Sequence, residues 1–381
     1  MTRLDAEFAF LNEADRLKTV CRANTLLDGT RAENSAEHSW HVALWALVFA
    51  KYAPAGTDIS RAIQMLLLHD LVEIDAGDHP IHLPNPGQAA AEDKAAKRLF
   101  GLLPQGAGET LRQLWLEFEA AQTATARFAK TVDHAQPLFQ VLCAAKPRPD
   151  HIDIVRQNLA TGRASDMGQR WPQAHAAALA MLAGQTPAPS EFTHGLAFLA
   201  EADALKSVNR ATTLCDGSRP ENSAEHSWHL ALYALVLAGQ AAPGVDIARV
   251  IQMLLLHDLV EIDVGDVPIH SGNGQAHSSR DIQAAEAQAA IRLFGLLPYP
   301  LGDVLHTLWQ EFEANDSASA QFAKSLDRAQ PVMQNIQSGG GSWIAYSVSF
   351  AQLEARVGDK VANGAPQLWP YIRARCLPFF A

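Results

Sequence analysis

The sequence predicts an all-α protein built from two tandem helical bundles. The first observation is an internal repeat, because LLLHDLVEIDAGD at 66–78 returns as LLLHDLVEIDVGD at 254–266 with a single difference. The second is periodicity, since apolar residues recur at helical spacing in both copies and no segment alternates convincingly as a strand does. With 381 residues, of which 48% are apolar, the chain is long enough to bury two cores.

The two copies keep a fixed spacing over their first part. Residues 7–18 return at 195–206, which is 188 positions later. The spacing grows to 194 in the later part, so we expect the second copy to carry an insertion in a loop. Residues 184–191, GQTPAPSE, have the proline and small polar residues of a linker. We therefore predict an N-terminal domain at 1–187 and a C-terminal domain at 188–381.

The elements of the first copy are predicted in order along the chain. A strongly apolar helix follows Ser35, whose side chain is suited to cap it. Residues 59–72 form a second, deeply buried helix, which the turn-forming run at 77–80 ends. Trp115 and Phe118, three positions apart on one helix face, are expected in the core. Further helices are predicted at 88–100, 111–119 and 124–142.

Composition disfavours several classes of protein. A net charge of −11 argues against a nonspecific nucleic-acid surface, since such surfaces depend on basic patches. No run approaches the ~20 uncharged apolar residues that a membrane span needs, and the charged N-terminal segment is unlike an export signal. The four cysteines have no paired spacing, which is typical of a reducing compartment. We predict a cytoplasmic protein that binds neither nucleic acid nor membrane.

One short segment of each copy concentrates groups that bind metals. On a helix, His69 and Asp70 are about 100° apart and can approach one cation, while Glu73 projects over the same face. His38 and Asp133 are candidates for the remaining ligands, because an unpaired polar group in their apolar surroundings would be costly. Two imidazoles and two carboxylates suit Mn²⁺, Co²⁺, Fe²⁺, Ni²⁺ or Zn²⁺. The corresponding residues of the second copy are His226, His257, Asp258, Glu261 and Asp327.

The order of these residues resembles that of the HD-domain metal-dependent phosphohydrolases. Four segments in the same order are similar to the 5′-deoxynucleotidase-like branch of that family, namely LKTVCR (17–22), ENSAEHSWHVA (33–43), HDLVEIDAGD (69–78) and FAKTVDHA (128–135). The resemblance covers most of each copy, at 7–142 and 195–336. It implies a helical enzyme that removes phosphate from deoxynucleoside monophosphates. Enzymes of this branch are commonly homodimers, so we expect the two copies to pack as an intramolecular pseudo-dimer.

The resemblance also implies a role for each site residue. One divalent metal per domain, with Mn, Co, Fe, Ni, Zn and Mg all open, is held in the first copy by His38, His69, Asp70 and Asp133. Glu73 and Asp78 act on the water and the leaving group, and Arg22 binds the phosphate. The second copy repeats this set, with metal ligands at His226, His257, Asp258 and Asp327, catalytic carboxylates at Glu261 and Asp266, and a phosphate ligand at Arg210.

Several of these residues also have a structural interpretation. A helical histidine beside an aspartate commonly forms a hydrogen-bonded pair, but the complete set in both copies favours metal binding. Arg22 is also placed to pair with Asp28 or Glu33 on the surface. The histidines His41 and His229 are either packed side chains or partners that support a ligand, and the loop histidines His82 and His270 are candidates to touch substrate.

Substrate preference stays open at this point. Ala23 and Ala211 follow the two arginines where some deoxynucleotidases of the branch carry a bulky aromatic residue that presses on the sugar. The loops at 83–91 and 271–285 also differ between the copies. The alternatives are an HD-type enzyme acting on another small phosphate ester or at a di-iron centre, and a nucleotide-binding regulator whose metal sites are structural.

Overall fold

The computed structural model describes residues 2–79, 85–271 and 279–380, and within them the all-α prediction is confirmed. The helices of the first half are α1 (Arg3–Ala14), α2 (Ser35–Val48), α3 (Ile59–Leu68), α4 (Glu73–Ala76), α5 (Gln88–Phe100), α6 (Gln105–Ala120), α7 (Ala124–Leu142), α8 (Pro149–Ala160), α9 (Met167–Arg170) and α10 (Pro172–Leu182). Those of the second half are α11 (Glu191–Ala202), α12 (Ser223–Val236), α13 (Ile247–Leu256), α14 (Glu261–Val264), α15 (Arg280–Phe294), α16 (Leu301–Ala314), α17 (Ala318–Gln337), α18 (Gly341–Ala345), α19 (Phe350–Leu353), α20 (Asp359–Gly364) and α21 (Leu368–Cys376).

A short hairpin in each half was not expected from the sequence. Strand β1 (Cys21–Thr25) pairs antiparallel with β2 (Ala32–Asn34), and β3 (Asn209–Thr213) pairs with β4 (Pro220–Asn222). The register is irregular in both hairpins, and the strands are too short for alternation to be read from the sequence. The hairpin matters for the site because it carries the arginine of each copy.

The start of α2 corrects the predicted cap. Asn34, not Ser35, caps the helix by accepting hydrogen bonds from the backbone N–H groups of Ala36 and Glu37. The Glu37 carboxylate accepts from the Asn34 backbone in return, which completes a capping box. The Ser35 hydroxyl instead donates to the Glu73 carboxylate. Ser35 is therefore not the helix cap but holds the side chain of Glu73, a residue of the candidate site, in place.

The second buried helix ends in a tighter turn than predicted. Helix α3 stops at Leu68, and His69–Val72 continue as a 3₁₀ turn before α4 begins at Glu73. Gly77, with a φ of 74°, then ends α4 in a conformation that a side chain would strain. The predicted core pair behaves as expected, since Trp115 and Phe118 are buried.

The two halves contact each other reciprocally. Helices α2 and α12, one from each half, pack against each other. The Trp40 indole of α2 donates a hydrogen bond of 3.1 Å to the Leu255 carbonyl of the other half, and Trp228 of α12 donates one of 3.1 Å to the Leu67 carbonyl. Each bond has its counterpart, as in an isologous interface between identical subunits.

The first helix of the second half is also shared with the first half. Phe192 of α11 is fully buried among aromatic rings of the first half, with its ring 4.8 Å from that of Phe49, 5.5 Å from Trp171 and 5.6 Å from Phe139. The core of the first half is therefore completed by a residue of the second half. Among the described residues, no helix combines the length and the apolar character that a membrane crossing requires.

Candidate active site

The four predicted metal ligands of the first half lie together. His38 Nε2, from α2, is 3.1 Å from Asp133 Oδ1 of α7. His69 Nε2, from the 3₁₀ turn, is 3.4 Å from the same oxygen and 3.1 Å from Asp70 Oδ1. Three separate elements thus deliver two imidazole nitrogens and two carboxylates to one point.

The orientation of the imidazoles fits a metal site. His69 Nδ1 donates to the Leu66 carbonyl at 2.8 Å, and His38 Nδ1 lies 3.0 Å from Gln136 Oε1. These bonds place the ring protons on Nδ1 and leave the Nε2 lone pairs facing the carboxylates. His69 Nε2 is buried and has no hydrogen-bond partner among the described residues. A buried nitrogen of this kind is costly unless it binds an ion, and the donor set present is one that divalent metals accept.

The second half repeats the arrangement with small differences. His226 Nε2 is 3.3 Å from Asp327 Oδ1, and His257 Nε2 is 3.0 Å from Asp258 Oδ1. His257 Nδ1 donates to the Leu254 carbonyl at 2.9 Å, and its Nε2 again lacks a hydrogen-bond partner within the described part of the chain.

The predicted phosphate ligand and the predicted catalytic carboxylates share one space. Arg22 Nη1 lies 2.7 Å from Asp70 Oδ2, 3.7 Å from Glu73 Oε1 and 3.8 Å from Asp78 Oδ1. In the second half, Nη1 of the corresponding arginine shows the same order of distances, 2.8, 3.5 and 3.6 Å, to Asp258, Glu261 and Asp266. The surface pairing of Arg22 with Asp28 is absent from the described contacts, and the guanidinium is directed into the site.

Burial and neighbouring charge separate the carboxylates into two kinds. Burial, reinforced by the nearby Asp70, raises the pKa of Glu73 well above its usual range. Burial also raises the pKa of Asp78, although Arg22 opposes the shift. Burial acts to raise the pKa of Asp133 as well, but the adjacent imidazoles of His38 and His69 bring it well below the usual range. Asp133 is therefore an anion, whereas Glu73 and Asp78 hold protons more readily than ordinary carboxylates.

The other residues singled out in the sequence have defined positions. His41 is buried away from the ligand cluster, and its Nε2 donates to the Leu199 carbonyl of the other half at 3.0 Å. Trp115 donates to the His69 carbonyl at 3.2 Å, so the core residue also supports the ligand turn. His270 lines the second cavity and accepts a hydrogen bond of 2.9 Å from Arg356. His82 lies outside the described residues.

Two buried clusters of carboxylates and a histidine were not predicted from the sequence. One joins Glu33, His41 and Asp203, and the other joins Asp15, Glu221 and His229. Their ligand atoms are close enough to hold an ion, but the ammonium groups of Lys206 and Lys18 already lie among them. The clusters are thus occupied by lysine. The sequence contained one sign of these clusters, because each lysine and each glutamate recurs at the corresponding position of the other copy.

Each site opens into a cavity, and the two cavities differ. The first has a volume of about 620 Å³ and the second about 310 Å³. Residues of α8, among them His151, Ile154 and Asn158, line the first cavity. Trp343 and Tyr346 line the second, so its wall is more aromatic. Both volumes are within the range of small-molecule sites.

A comparison with protein families matches the HD domain to residues 14–175 and again to 202–369. The chain belongs to the HD-domain family. The resemblance inferred from its motifs and the tandem duplication are thereby confirmed. In both HD segments the histidine and aspartate ligands predicted from the repeat fall inside the matched residues.

Curated relatives match part of the chain. The human 5′-deoxynucleotidase HDDC2 is 30% identical over 140 residues, which are 36% of this chain and 65% of the human protein. The 5′-deoxynucleotidase YfbR of Shigella flexneri is 26% identical over 166 residues, which are 42% of this chain and 83% of that protein. The aligned region thus spans slightly less than two thirds of the human relative.

A solved structure is also similar to part of the chain. It is a crystal structure described as a predicted metal-dependent phosphohydrolase from Magnetospirillum magnetotacticum, 41% identical, which covers 50% of this chain and 96% of that chain with a TM-score of 0.46.

Proposed function

We propose that each half of this HD-domain protein is a metal-dependent phosphomonoesterase that removes phosphate from (deoxy)nucleoside 5′-monophosphates. The observation that carries the proposal is the convergence, in both halves, of two imidazoles and two carboxylates beside a buried arginine. The similarity to two 5′-deoxynucleotidases supports the substrate class. Both cavities are large enough for a small phosphate ester.

The proposal assigns one divalent metal to each domain, from among Mn, Co, Fe, Ni, Zn and Mg. The unpaired Nε2 atoms of His69 and His257 support the assignment, because each lies within 3.1 Å of an aspartate oxygen without a hydrogen bond to it. A bound divalent cation lowers the pKa of its water and polarises the phosphoryl oxygen. The ligands are His38, His69, Asp70 and Asp133 in the first half and His226, His257, Asp258 and Asp327 in the second.

The remaining side chains bind phosphate and move protons. Arg22, with its planar guanidinium, holds the phosphate oxygens and offsets their charge during transfer. Glu73 orients the attacking water and accepts its proton, and the Ser35 hydroxyl holds this carboxylate in place. Asp78 protonates the departing alkoxide, a role that its raised pKa favours. The second half uses Arg210, Glu261 and Asp266 in the same roles.

We also propose that the two halves of the chain form an intramolecular pseudo-dimer. The halves are residues 1–187 and 188–381, divided near residue 188. The reciprocal tryptophan bonds and the shared aromatic core support this arrangement. Location in the cytoplasm stays a prediction from the sequence.

The test is phosphate release from a panel of ribo- and deoxynucleoside monophosphates and other small phosphate esters. We expect release in the presence of Mn²⁺ or Co²⁺ and its loss in excess EDTA. The double variant Asp133→Asn/Asp327→Asn, which removes a ligand from each site, is the control and should be inactive. Nucleotide binding without phosphate release would favour a regulator, and release from esters other than nucleotides would redirect the substrate assignment.

A further inference from the structure

A lysine of the second half reaches the site of the first half. The side chain of Lys206 is completely buried. Its Nζ lies 2.8 Å from Glu33 Oε1 and 3.0 Å from His41 Nδ1, both in the first half, and it also binds Asp203 of its own half. This ammonium group is therefore surrounded by groups from both halves.

Glu33 connects the lysine to the site. Its Oε1 accepts the hydrogen bond from Lys206, while its Oε2 lies 3.7 Å from His38 Nδ1 and 3.8 Å from Arg22 Nε. The carboxylate is completely buried, and Oε2 has no hydrogen-bond partner among the described residues. One buried anion thus faces a metal-ligand imidazole and the phosphate-binding guanidinium at once.

The same chain of contacts occurs in the opposite direction. Lys18 of the first half is completely buried and lies 2.6 Å from Glu221 Oε1 in the second half. Glu221 Oε2 lies 3.3 Å from His226 Nδ1 and 4.0 Å from Arg210 Nε. The contact between a lysine of one half and a glutamate of the other is therefore present in both directions.

Charge balance explains why the lysine matters for the site. A buried carboxylate that loses its cation is strongly destabilised. Without Lys206, the cation nearest to Glu33 is Arg22, which already donates to Asp70. Glu33 would then draw the guanidinium away from the ligand carboxylate and from an incoming phosphate. The position of Arg22 would therefore depend on Lys206, which lies 184 positions after it in the chain (206 − 22).

We propose that Lys206 is a positioning residue for the first-half site and Lys18 for the second-half site, so that each half completes the active site of the other. The measurement of kcat/KM rests on the proposed function, whereas the measurement of metal affinity rests on metal binding alone. Neither half then contains all the groups that hold its own site, so each half needs the lysine of the other.

The experiment uses the full chain with one site disabled. Asp327→Asn leaves the first-half site, and Asp133→Asn leaves the second-half site. In the Asp327→Asn background, we expect Lys206→Met to lower kcat/KM and metal affinity by about 10- to 100-fold, the usual effect of removing a group that supports a ligand. Lys18→Met in that background should leave both unchanged. In the Asp133→Asn background the two lysine variants should exchange their effects.

Each lysine variant is the matched control of the other. Both remove a fully buried ammonium group with the same kinds of partner, so a general loss of stability would lower both sites equally. Metal content and affinity, measured by mass spectrometry and titration with Mn²⁺, give a readout separate from turnover. Lysine variants that do not yield folded protein are replaced by Lys206→Arg and Lys18→Arg, which keep the charge, change its position and should show the same crossed pattern more weakly.

The crossed pattern supports the proposal. Equal losses in both backgrounds, losses confined to the site of the same half, or no loss would overturn it. If the unmodified chain bound Mn²⁺ but released no phosphate from any ester, the proposed function would fail while the metal titrations still decided the role of the lysines.

Discussion

Arg22 Nη1 donates a hydrogen bond of 2.7 Å to Asp70 Oδ2, so the residue assigned to phosphate is bonded to a residue assigned to metal. The second half shows the same bond at 2.8 Å, between Arg210 and Asp258. The guanidinium offsets the charge of several buried carboxylates in the absence of a ligand. A phosphate that enters the site must share this arginine with them.

Removal of the arginine should therefore separate phosphate binding from metal binding. In the Asp327→Asn background, Arg22→Ala should lower kcat/KM by about 10- to 100-fold, as expected for the ~1.5–3 kcal/mol of a hydrogen bond to a charged group. The affinity for Mn²⁺ should be unchanged or higher, because a positive charge is lost beside the ligands. Arg22→Lys should restore only part of the activity, since lysine lacks the planar fork. Weaker Mn²⁺ binding in Arg22→Ala would contradict this account.

Glu73 and Glu261 should be needed for turnover but not for metal binding. Replacement of both by glutamine keeps the side-chain shape and the contact with Ser35 or Ser223, yet removes the group that accepts the proton of water. We expect kcat to fall by about 10²- to 10⁴-fold, with two-site metal content retained. Glu92→Gln, which changes a carboxylate that lines the first cavity and accepts a hydrogen bond from Gln88, is the control and should have little effect. A fully active double variant would remove both glutamates from the mechanism.

The proposed ligand set could be assembled from the sequence because its chemistry is local and is repeated. His69, Asp70 and Glu73 lie within five consecutive residues and recur in the second copy, which together with His38 and Asp133 favours a metal site over a structural histidine–aspartate pair before any fold is known. The buried setting of His38 and Asp133 could be inferred from the apolar residues around them. Duplication then repeated every proposed ligand in the second copy.

The contacts between the halves could not be predicted in the same way. Lys206 is an ordinary charged residue in the sequence, and its burial follows from an interface that the helical pattern does not describe. Ser35 is suited to a helix cap by its residue type, but Asn34 occupies that position and frees the serine for Glu73. The β1 hairpin is too short and too irregular to show a strand period, although it carries Arg22.

The buried histidines His41 and His229 should make the protein less stable in acid. Burial and the nearby lysine, opposed by Asp203 and Glu33, lower the pKa of His41 to about 3, and the corresponding groups do the same for His229. An unfolded histidine has a pKa of ~6.5, so the unfolded state binds more protons between these values. Stability is therefore complete above pH ~6.5 and falls as the pH drops towards 3.

Thermal unfolding at a series of pH values measures this effect. The double variant His41→Asn/His229→Asn should have a lower Tm at pH 7.5 but a smaller drop in Tm between pH 7 and pH 5 than the parent chain. His194→Asn, which changes a histidine outside the buried clusters, should keep the parent slope. An identical pH dependence in the double variant and the parent would exclude these two histidines as its source.

The difference between the cavities should give the two sites different size limits. The first cavity is about 620 Å³ and the second about 310 Å³. In the Asp327→Asn background, which keeps the first site, the ratio of kcat/KM for deoxyadenosine monophosphate to that for deoxyribose 5-phosphate should exceed the ratio in the Asp133→Asn background. We expect a difference of about tenfold, the scale on which a pocket discriminates by fit.

Tyr346 lines the second cavity and is 40% exposed, so its replacement should enlarge the opening without unfolding the domain. In the Asp133→Asn background, Tyr346→Ala should raise the ratio, whereas Tyr299→Ala, at a residue that is 84% exposed, should not. Equal ratios at the two sites would mean that cavity size does not select the substrate.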